Sequence, residues 1–479
     1  MVARSFRAVL IGFGVCCLTW TSAMAASPAS SPKDARLAGS YRFERGGWTY
    51  VHLQGTPEQI GFQHGYLLAS EIADYAHVLK VETKHNTHRD WQFYREAGRT
   101  ILWPHVDSEY QKELKGIAAG VAARGVNLDL WDIVAMNGEE ELADYYVPWL
   151  DRNSRAANSY PEPKAPGRCS AFIATGSYTK DGKIVIAHSN WSSYAEGERW
   201  VIIFDFQPTH GHRILMDGLP GFIDSGDDFG INDAGIIITE TTISQFIGWD
   251  SNGIPEFVRA RKAMQYASSI DDYIAIMRKG NNGGYANDWL IGDRKTGEIA
   301  YLELGLKHVS VWRKKDGYFI SSNFARDPAL IRDETDGFDS TDKSSSPNAR
   351  RVRWGQLMHA NKGKIDVPMA ERFLGDHYDT FLHEEKADQR SLCGHVDQAP
   401  EGVAIWGHGP YYPDGAVQGK ATDSDMAAKM SFIARAGHPC GENFYAKPFL
   451  AAHPEYDWTK PILKDMIAGP WTVFHSGEK

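Results

Sequence analysis

The chain has 479 residues, 42% of them hydrophobic and 23% charged, with a formal net charge of −10. This is ordinary globular composition with enough chain for a large core, and length alone allows two or three domains. The acidic balance excludes an electrostatic affinity for nucleic acid or for an anionic membrane, and the short basic cluster Arg350, Arg351, Arg353 reads as a solvated or substrate-facing patch.

Residues 1–25 read as an export signal. Arg4 and Arg7 form a basic start, Ala8 to Trp20 is apolar, and Ala23-Met24-Ala25 fits the small-x-small cleavage rule. After Ala25 no apolar run approaches the roughly 18 residues of a membrane span, so no transmembrane segment is expected in the mature chain. The expected location is periplasmic or secreted. Of the five cysteines, Cys16 and Cys17 would leave with the signal, while Cys169, Cys393 and Cys440 remain. Spare thiols are unusual in an oxidising compartment. Cys393 and Cys440 share the C-terminal part and could pair as a disulfide. Cys169 is then the odd thiol, either reactive or buried and inert.

Residues 26–40 are rich in Ser, Ala and Pro and read as a flexible start. Residues 56–148 read as helical, with apolar residues at three- and four-residue spacing. Thr56-Pro57-Glu58 is a favourable helix start, with Pro57 at the first helical position. The stretch 151–167, DRNSRAANSYPEPKAPG, is polar with three prolines and reads as an exposed loop ending at Arg168-Cys169. CSAFIATG, a Lys180-Asp181-Gly182 turn and KIVIAHSNW then read as a hairpin. RWVIIFDF and HRILMDG continue the strand pattern, and GINDAGIIITETTI reads as turn, strand and strand end. Residues 255–279 are helical. NDWLIGDRKTGEIAYLELG and HVSVWRKKDGYFISSN read as two more hairpins, and helices resume over 347–385. No fixed-period repeat is present. Separate blocks of helices and antiparallel strands predict an α+β layered sandwich rather than a doubly wound α/β fold.

The junction at Cys169 carries the chemistry. A protease-accessible loop ends, and a buried strand begins, at the same cysteine. Breaking the Arg168–Cys169 bond would place a free α-amine beside the thiol. Such an amine titrates near about 7.7–8.0 and can act as a general base at neutral pH. One residue would then supply both nucleophile and base, attacking an acyl carbonyl to form a thioester that water hydrolyses. The tetrahedral oxyanion needs positioned donors, for which Asn287 at the end of GNNGGYAND is a candidate. His188 and Trp191 in HSNW, and Glu240 in TETT, have ordinary structural readings as hydrogen-bonded, packed or strand-end residues, as Asn287 does as a turn residue.

These residues resemble a known family. CSAFIATG…DGKIVIAHSNWSSY, SGDDFGINDAGIIITETTI and GNNGGYANDWLIGD look like the central motifs of the phospholipase B-like proteins. Those belong to the N-terminal-nucleophile (Ntn) hydrolases related to isopenicillin N acyltransferase and choloylglycine hydrolase. GHPCGENFYAKPFLAAHPEYDW fits the same grouping, and the resemblance runs from about Cys169 to the C-terminus, more loosely over 56–148. It implies a four-layer αββα sandwich, autoproteolysis before Cys169, and two fragments, 26–168 and 169–479, that stay associated. By motif match it implies Cys169 as nucleophile, His188 as a polar residue beside it, Asn287 as the oxyanion asparagine, and substrate-binding positions at Trp191 and Arg350. Arg168 departs from the small residue of several relatives, leaving open whether the chain cuts itself or another protease cuts it. Thr241 and Thr242 lie near where the bile-salt branch has an asparagine, so that branch's substrate is not implied.

Histidine pairs such as His85 and His88, or His210 and His212, sit in no H-E-x-x-H or spaced Cys/His pattern, so no metal and no cofactor are expected. A G-x-S-x-G elbow is absent. The expected activity is hydrolysis of an acyl amide or ester of a lipid-like or N-acylated small molecule. Acyl transfer to an amine is the enzymatic alternative. A non-catalytic exported binder using its 15 tryptophans for an apolar ligand is the other class.

Overall fold

The computed structural model describes residues 34–154 and 169–479. The expected signal peptide with its Ala25 cleavage site, and Arg168, lie outside these residues. The region before the helices, unassigned by periodicity, forms an antiparallel hairpin of β1 (Tyr41–Arg45) and β2 (Trp48–Gly55). Thr56 then starts helix Pro57–Leu67 as expected, through a capping box. Its hydroxyl accepts from Gln59 N at 3.3 Å, and the Gln59 side chain accepts from Thr56 N at 2.9 Å. This helix lies backbone to backbone on helix Ser108–Ala123 because glycines face each other. A Cβ on Gly65 would sit 2.0 Å from the Ile117 carbonyl oxygen, and one on Gly120 2.3 Å from that of Phe62.

The stretch that reads as a polar loop from residue 151 starts instead in helix. Asp151, Arg152 and Asn153 form the last turn of helix Val147–Asn153. Arg89 pairs with Asp151, and the Asn153 side chain caps back onto the Trp149 carbonyl at 2.7 Å, so local bonds outweigh the loop-like composition.

The second described segment opens on β3 (Cys169–Thr175), which returns through the Lys180-Asp181-Gly182 turn as β4 (Val185–Ser193). Then come β5 (Ile202–Pro208), β6 (Ile214–Gly218), β7 (Gly230–Asn232) and β8 (Ile236–Thr242). After helices Glu256–Tyr266 and Ile270–Arg278 follow β9 (Asn287–Asp293), β10 (Glu298–Leu304), β11 (Val309–Lys314) and β12 (Gly317–Ser321). Helices Ser346–Ala360 and Val367–Leu374 precede a short ribbon of β13 (Tyr378–Asp379) and β14 (Glu384–Glu385). The chain ends with β15 (Asp414–Asp423), β16 (Ser431–Ala436) and β17 (Thr472–His475).

Two large sheets result. The nine-stranded sheet has the order β1-β2-β5-β6-β7-β8-β9-β10-β11, and the six-stranded sheet β12-β3-β4-β15-β16-β17. Pairing is antiparallel except between β2 and β5. That parallel pair joins a strand from before residue 168 to one from after it, and Arg36–Lys479 packs as one unit. The proposed cleavage point is therefore not a packing boundary.

Alternation along the strands explains the core. Tyr50, Ile203, Leu215, Ile237 and Leu290 from the nine-stranded sheet meet Ala171, Ile173, Ile186, Phe319 and Phe432 from the six-stranded sheet in one buried cluster. The intervening residues point the other way. Phe172 meets Trp354 at a tilt and Phe373 edge-on, from the two helices over the six-stranded sheet, at 5.3 and 6.1 Å between centroids. Helix Pro57–Leu67 packs on β2. The protein is thus mixed α and β, built around two large sheets.

One expected hairpin is corrected. HVSVWRKKDGYFISSN does form two strands, but they do not pair with each other. β11 pairs with β10 at the edge of the nine-stranded sheet, while β12 pairs with β3 in the six-stranded sheet. The turn at Gly317 (φ +133°) carries the chain from one sheet to the other. β11 stays largely exposed, Val311 and Trp312 included, whereas Phe319 and Ile320 of β12 are buried.

Candidate active site

The β3–β4 register builds the centre of the site. Cys169 lies directly opposite Asn190, and Ala171 opposite His188. Opposed residues in an antiparallel pair share a face, so Cys169, Asn190 and His188 project together. The Cys169 sulfur lies 3.8 Å from Asn190 Oδ1 and 4.0 Å from Glu240 Oε1 on β8. A His188 ring nitrogen, the Cys169 sulfur and a Glu240 carboxylate oxygen all fall within 4.8 Å of one another.

The backbone of Cys169 is gripped from both sides. Its N–H donates to Asn323 Oδ1 at 3.1 Å, and its carbonyl oxygen accepts from Arg350 Nη1 at 2.6 Å. Arg350 Nη2 donates to the same Asn323 Oδ1 at 2.9 Å, and its Nε to Ser346 Oγ at 3.0 Å. Asn323 is fixed in turn, with Nδ2 donating to the Thr242 carbonyl at 2.9 Å and with a left-handed backbone (φ +68°) that asparagine tolerates. Trp191, on the opposite face of β4, lies under the guanidinium of Arg350 at 4.3 Å and meets Trp406 edge-on at 6.1 Å.

Burial governs the charges. It pushes the Cys169 thiol well above its usual range, and the charges of Glu240 and Asp227 add to this. Burial, followed by the charge of Asp228, raises the Glu240 carboxyl, whose Oε1 accepts from the Tyr285 hydroxyl at 2.9 Å. Burial and then the charge of Lys420 pull the His188 ring down to about 3, so it is neutral at pH 7. Burial lowers Arg350 to about 9. Beside His188, Nδ1 stands 3.5 Å from Asp227 Oδ2, and Lys420 bridges Asp227 and Asp217 inside the protein.

Asn287 opens β9 opposite Thr242, two residues beyond Glu240 on β8, so it shares the face of Glu240. It is fully buried, and among the described residues neither its amide nitrogen nor its oxygen has a hydrogen-bond partner. Asn190 Nδ2 and Glu240 Oε2 are likewise buried without a partner. Unsatisfied buried amides are costly, by about 1–3 kcal/mol each, and cluster where function requires them.

Of the residues singled out in the sequence, the fold thus brings together Cys169, His188, Arg350 and, beneath Arg350, Trp191, with Asn287 on the adjoining strand end. It adds three that sequence reading missed, Asn190, Asn323 and Ser346, and gives Glu240 a place beside the thiol. Asn190 was legible in principle as the cross-strand partner of Cys169 once the hairpin turn was placed. Asn323 carried no local signal. Cys393 and Cys440 are a correction: they are neighbours but free thiols, and Nε2 of His395 lies 3.6 Å from each sulfur.

Two open cavities approach helix Ser346–Ala360. One of about 520 Å³ includes Ser346, Phe381, Leu382 and Ile405. The other, about 760 Å³, includes Tyr318, Phe324, Arg326 and Arg351. Neither is lined by Cys169, which is fully buried in the uncut chain.

A family model described as Phospholipase B matches residues 66–309, a span that contains Cys169, His188, Asn190, Trp191, Glu240 and Asn287. An uncharacterized protein of Archaeoglobus fulgidus is 24% identical over 264 residues, 51% of this chain and 41% of its own length. Phospholipase B-like 1 of Bos taurus is 26% identical, covering 49% of this chain and 48% of its own, and Phospholipase B of Crotalus adamanteus is also 26% identical over the same shares. The matched region therefore spans about half the length, or less, of these relatives. The chain belongs to the phospholipase B family.

Proposed function

We propose that this chain is an exported cysteine Ntn hydrolase that cleaves an acyl ester or acyl amide of a lipid-like or N-acylated small molecule. The observation that carries the reading is the grip on Cys169. It starts a buried strand, its N–H is held by Asn323 and its carbonyl by Arg350, and its sulfur faces Asn190, His188 and Glu240. A nitrogen held in this way becomes, after cleavage, an α-amine fixed beside the thiol.

In the maturation step the Cys169 sulfur attacks the carbonyl carbon of residue 168. The C–N bond breaks, the thiol proton passes to the departing nitrogen, and water then hydrolyses the thioester to a carboxylate and a free thiol. In turnover the α-amine takes the thiol proton, the sulfur attacks the substrate acyl carbon, the proton goes to the leaving alcohol or amine, and water then hydrolyses the acyl thioester to a carboxylate and the free thiol. The amide N–H of Asn287, unpartnered in the resting protein, supplies a donor for the oxyanion. The four-layer αββα arrangement is supported by the core shared between the sheets and by helices on their outer faces. Esters are favoured as substrates by the names of the relatives.

Intact-mass analysis of purified protein tests this. Two co-purifying fragments, one starting at Cys169, with hydrolysis of lysophospholipids or N-acyl amino acids that Cys169→Ala abolishes, are the expected result. A single uncut chain that Cys169→Ala leaves unchanged in every respect overturns it.

A further inference from the structure

His377, Cys393, His395 and Cys440 form a second cluster, which lies outside the catalytic residues. Both sulfurs and one nitrogen of each imidazole lie within 4.8 Å of one another. His377 follows the end of helix Val367–Leu374, Cys393 and His395 flank Gly394 in the loop after β14, and Cys440 lies in the loop after β16. Cys393 and His395 are buried, and the other two are half-buried.

We propose that these four side chains are a tetrahedral zinc site. Two thiolates and two imidazoles are the donor set that zinc prefers over harder cations. Zn–S bonds of about 2.3 Å and Zn–N bonds of about 2.0–2.1 Å put tetrahedral ligands roughly 3.3–3.8 Å apart. His395 Nε2 stands 3.6 Å from each sulfur.

The surroundings prepare the ligands. The N–H of Glu442 donates to Cys440 Sγ at 3.4 Å across a turn at Gly441 (φ +95°), which stabilises a thiolate. His395 Nδ1 stands 3.3 Å from the Gln398 side-chain amide nitrogen, so the ring nitrogen that does not face the sulfurs has a polar partner of its own. His377 Nε2 is buried without a hydrogen-bond partner. Four protein ligands leave no open position, so the ion is structural. It ties the loop after β16 to the two segments that flank the β13–β14 ribbon.

The site bears on the nucleophile through one contact. Gly394 lies flat against Trp191, where an added Cβ would fall 2.0 Å from the ring. Trp191 supports Arg350, and Arg350 holds the Cys169 carbonyl. The ion therefore acts as a positioning element for the floor of the active site. This inference stands independently of the proposed hydrolysis.

The test uses the mature chain carrying Cys169→Ala, so that the catalytic thiol contributes nothing. Elemental analysis is expected to find one zinc per chain. Replacement by cobalt(II) is expected to give intense tetrahedral visible bands with thiolate charge transfer. Chelation is expected to lower the unfolding temperature, and added zinc to restore it. Cys393→Ser and Cys440→Ser should each abolish the charge-transfer band or the zinc stoichiometry. Should these variants fail to fold, the cobalt spectrum of the parent still decides. A Cys393–Cys440 disulfide found by thiol counting in the denatured, unreduced protein overturns the proposal. So does cobalt bound without thiolate bands, or zinc retained in both serine variants.

Discussion

Arg350 Nη1 donates to the carbonyl oxygen of Cys169 at 2.6 Å, while its Nη2 donates to the asparagine oxygen that receives the Cys169 N–H. One planar guanidinium thus holds the nucleophile's carbonyl directly and its N–H through Asn323. Lysine keeps the charge but cannot span both acceptors. Arg350→Lys is expected to slow fragment formation and to lower kcat by about 10- to 150-fold, the range of one lost charge-assisted hydrogen bond at about 1.5–3 kcal/mol. A time course of cleavage by mass and steady-state kinetics of the residual cut enzyme check this.

Cys169 is fully buried, and its thiol is pushed up first by burial and then by Glu240 and Asp227. In the uncut chain it is expected to react with iodoacetamide far more slowly than a free cysteine. Cleavage before Cys169 should raise the alkylation rate by at least about tenfold, since the amine then offers a base and thiolate is the reactive form. Peptide mapping of time-resolved alkylation, with a cleavage-blocked chain as reference, measures it.

Asn287 keeps an unpartnered buried amide on the face of β8 and β9 that carries Glu240. An oxyanion donor acts mainly in the transition state. Asn287→Ala is expected to reduce kcat by about 10²- to 10³-fold with little change in KM. A variant that raises KM alone would place Asn287 in ground-state binding instead.

His188 is held neutral, its ring pulled down to about 3 by burial and then by Lys420. A folded pKa below the unfolded value near about 6.5 means stability is present above that pH and is lost as pH falls toward 3. The slope from this residue is at most about 1.4 kcal/mol per pH unit. His188→Gln is expected to flatten the acid limb of urea-unfolding stability across that window, whatever its effect on activity.

Glu240 shows the opposite sign. Burial and then Asp228 raise its carboxyl, so its contribution is complete below about pH 4.3 and is lost as pH rises. Glu240→Gln still accepts from the Tyr285 hydroxyl but cannot ionise. Its unfolding midpoint should match the parent near pH 4 and exceed it near pH 8, as read by denaturant titration at the two pH values.

Local chemistry was legible where it is local. The Thr56 cap, the Lys180-Asp181-Gly182 turn and the apolar alternation of β3 and β4 follow from neighbouring residues, because helix caps and hairpin turns are satisfied within a few positions. HVSVWRKKDGYFISSN misled for the same reason. Its turn and alternation specify two strands, but which sheet each joins depends on edges formed elsewhere.

The amino-acid sequence by itself marked Cys169 as the start of a buried strand behind a polar stretch, and its resemblance to a family pointed to His188, Trp191, Asn287 and Arg350 as its neighbours. Only the tertiary structure decided what holds Cys169. Asn323 and Arg350 reach it from distant segments, and hydrogen bonds of that kind leave no spacing in the chain. The fate of Cys393 and Cys440 was decided the same way. Two thiols that composition would pair stand instead around His395, with His377 beside them, because the folding of three separate segments, not their order, sets which donor atoms converge.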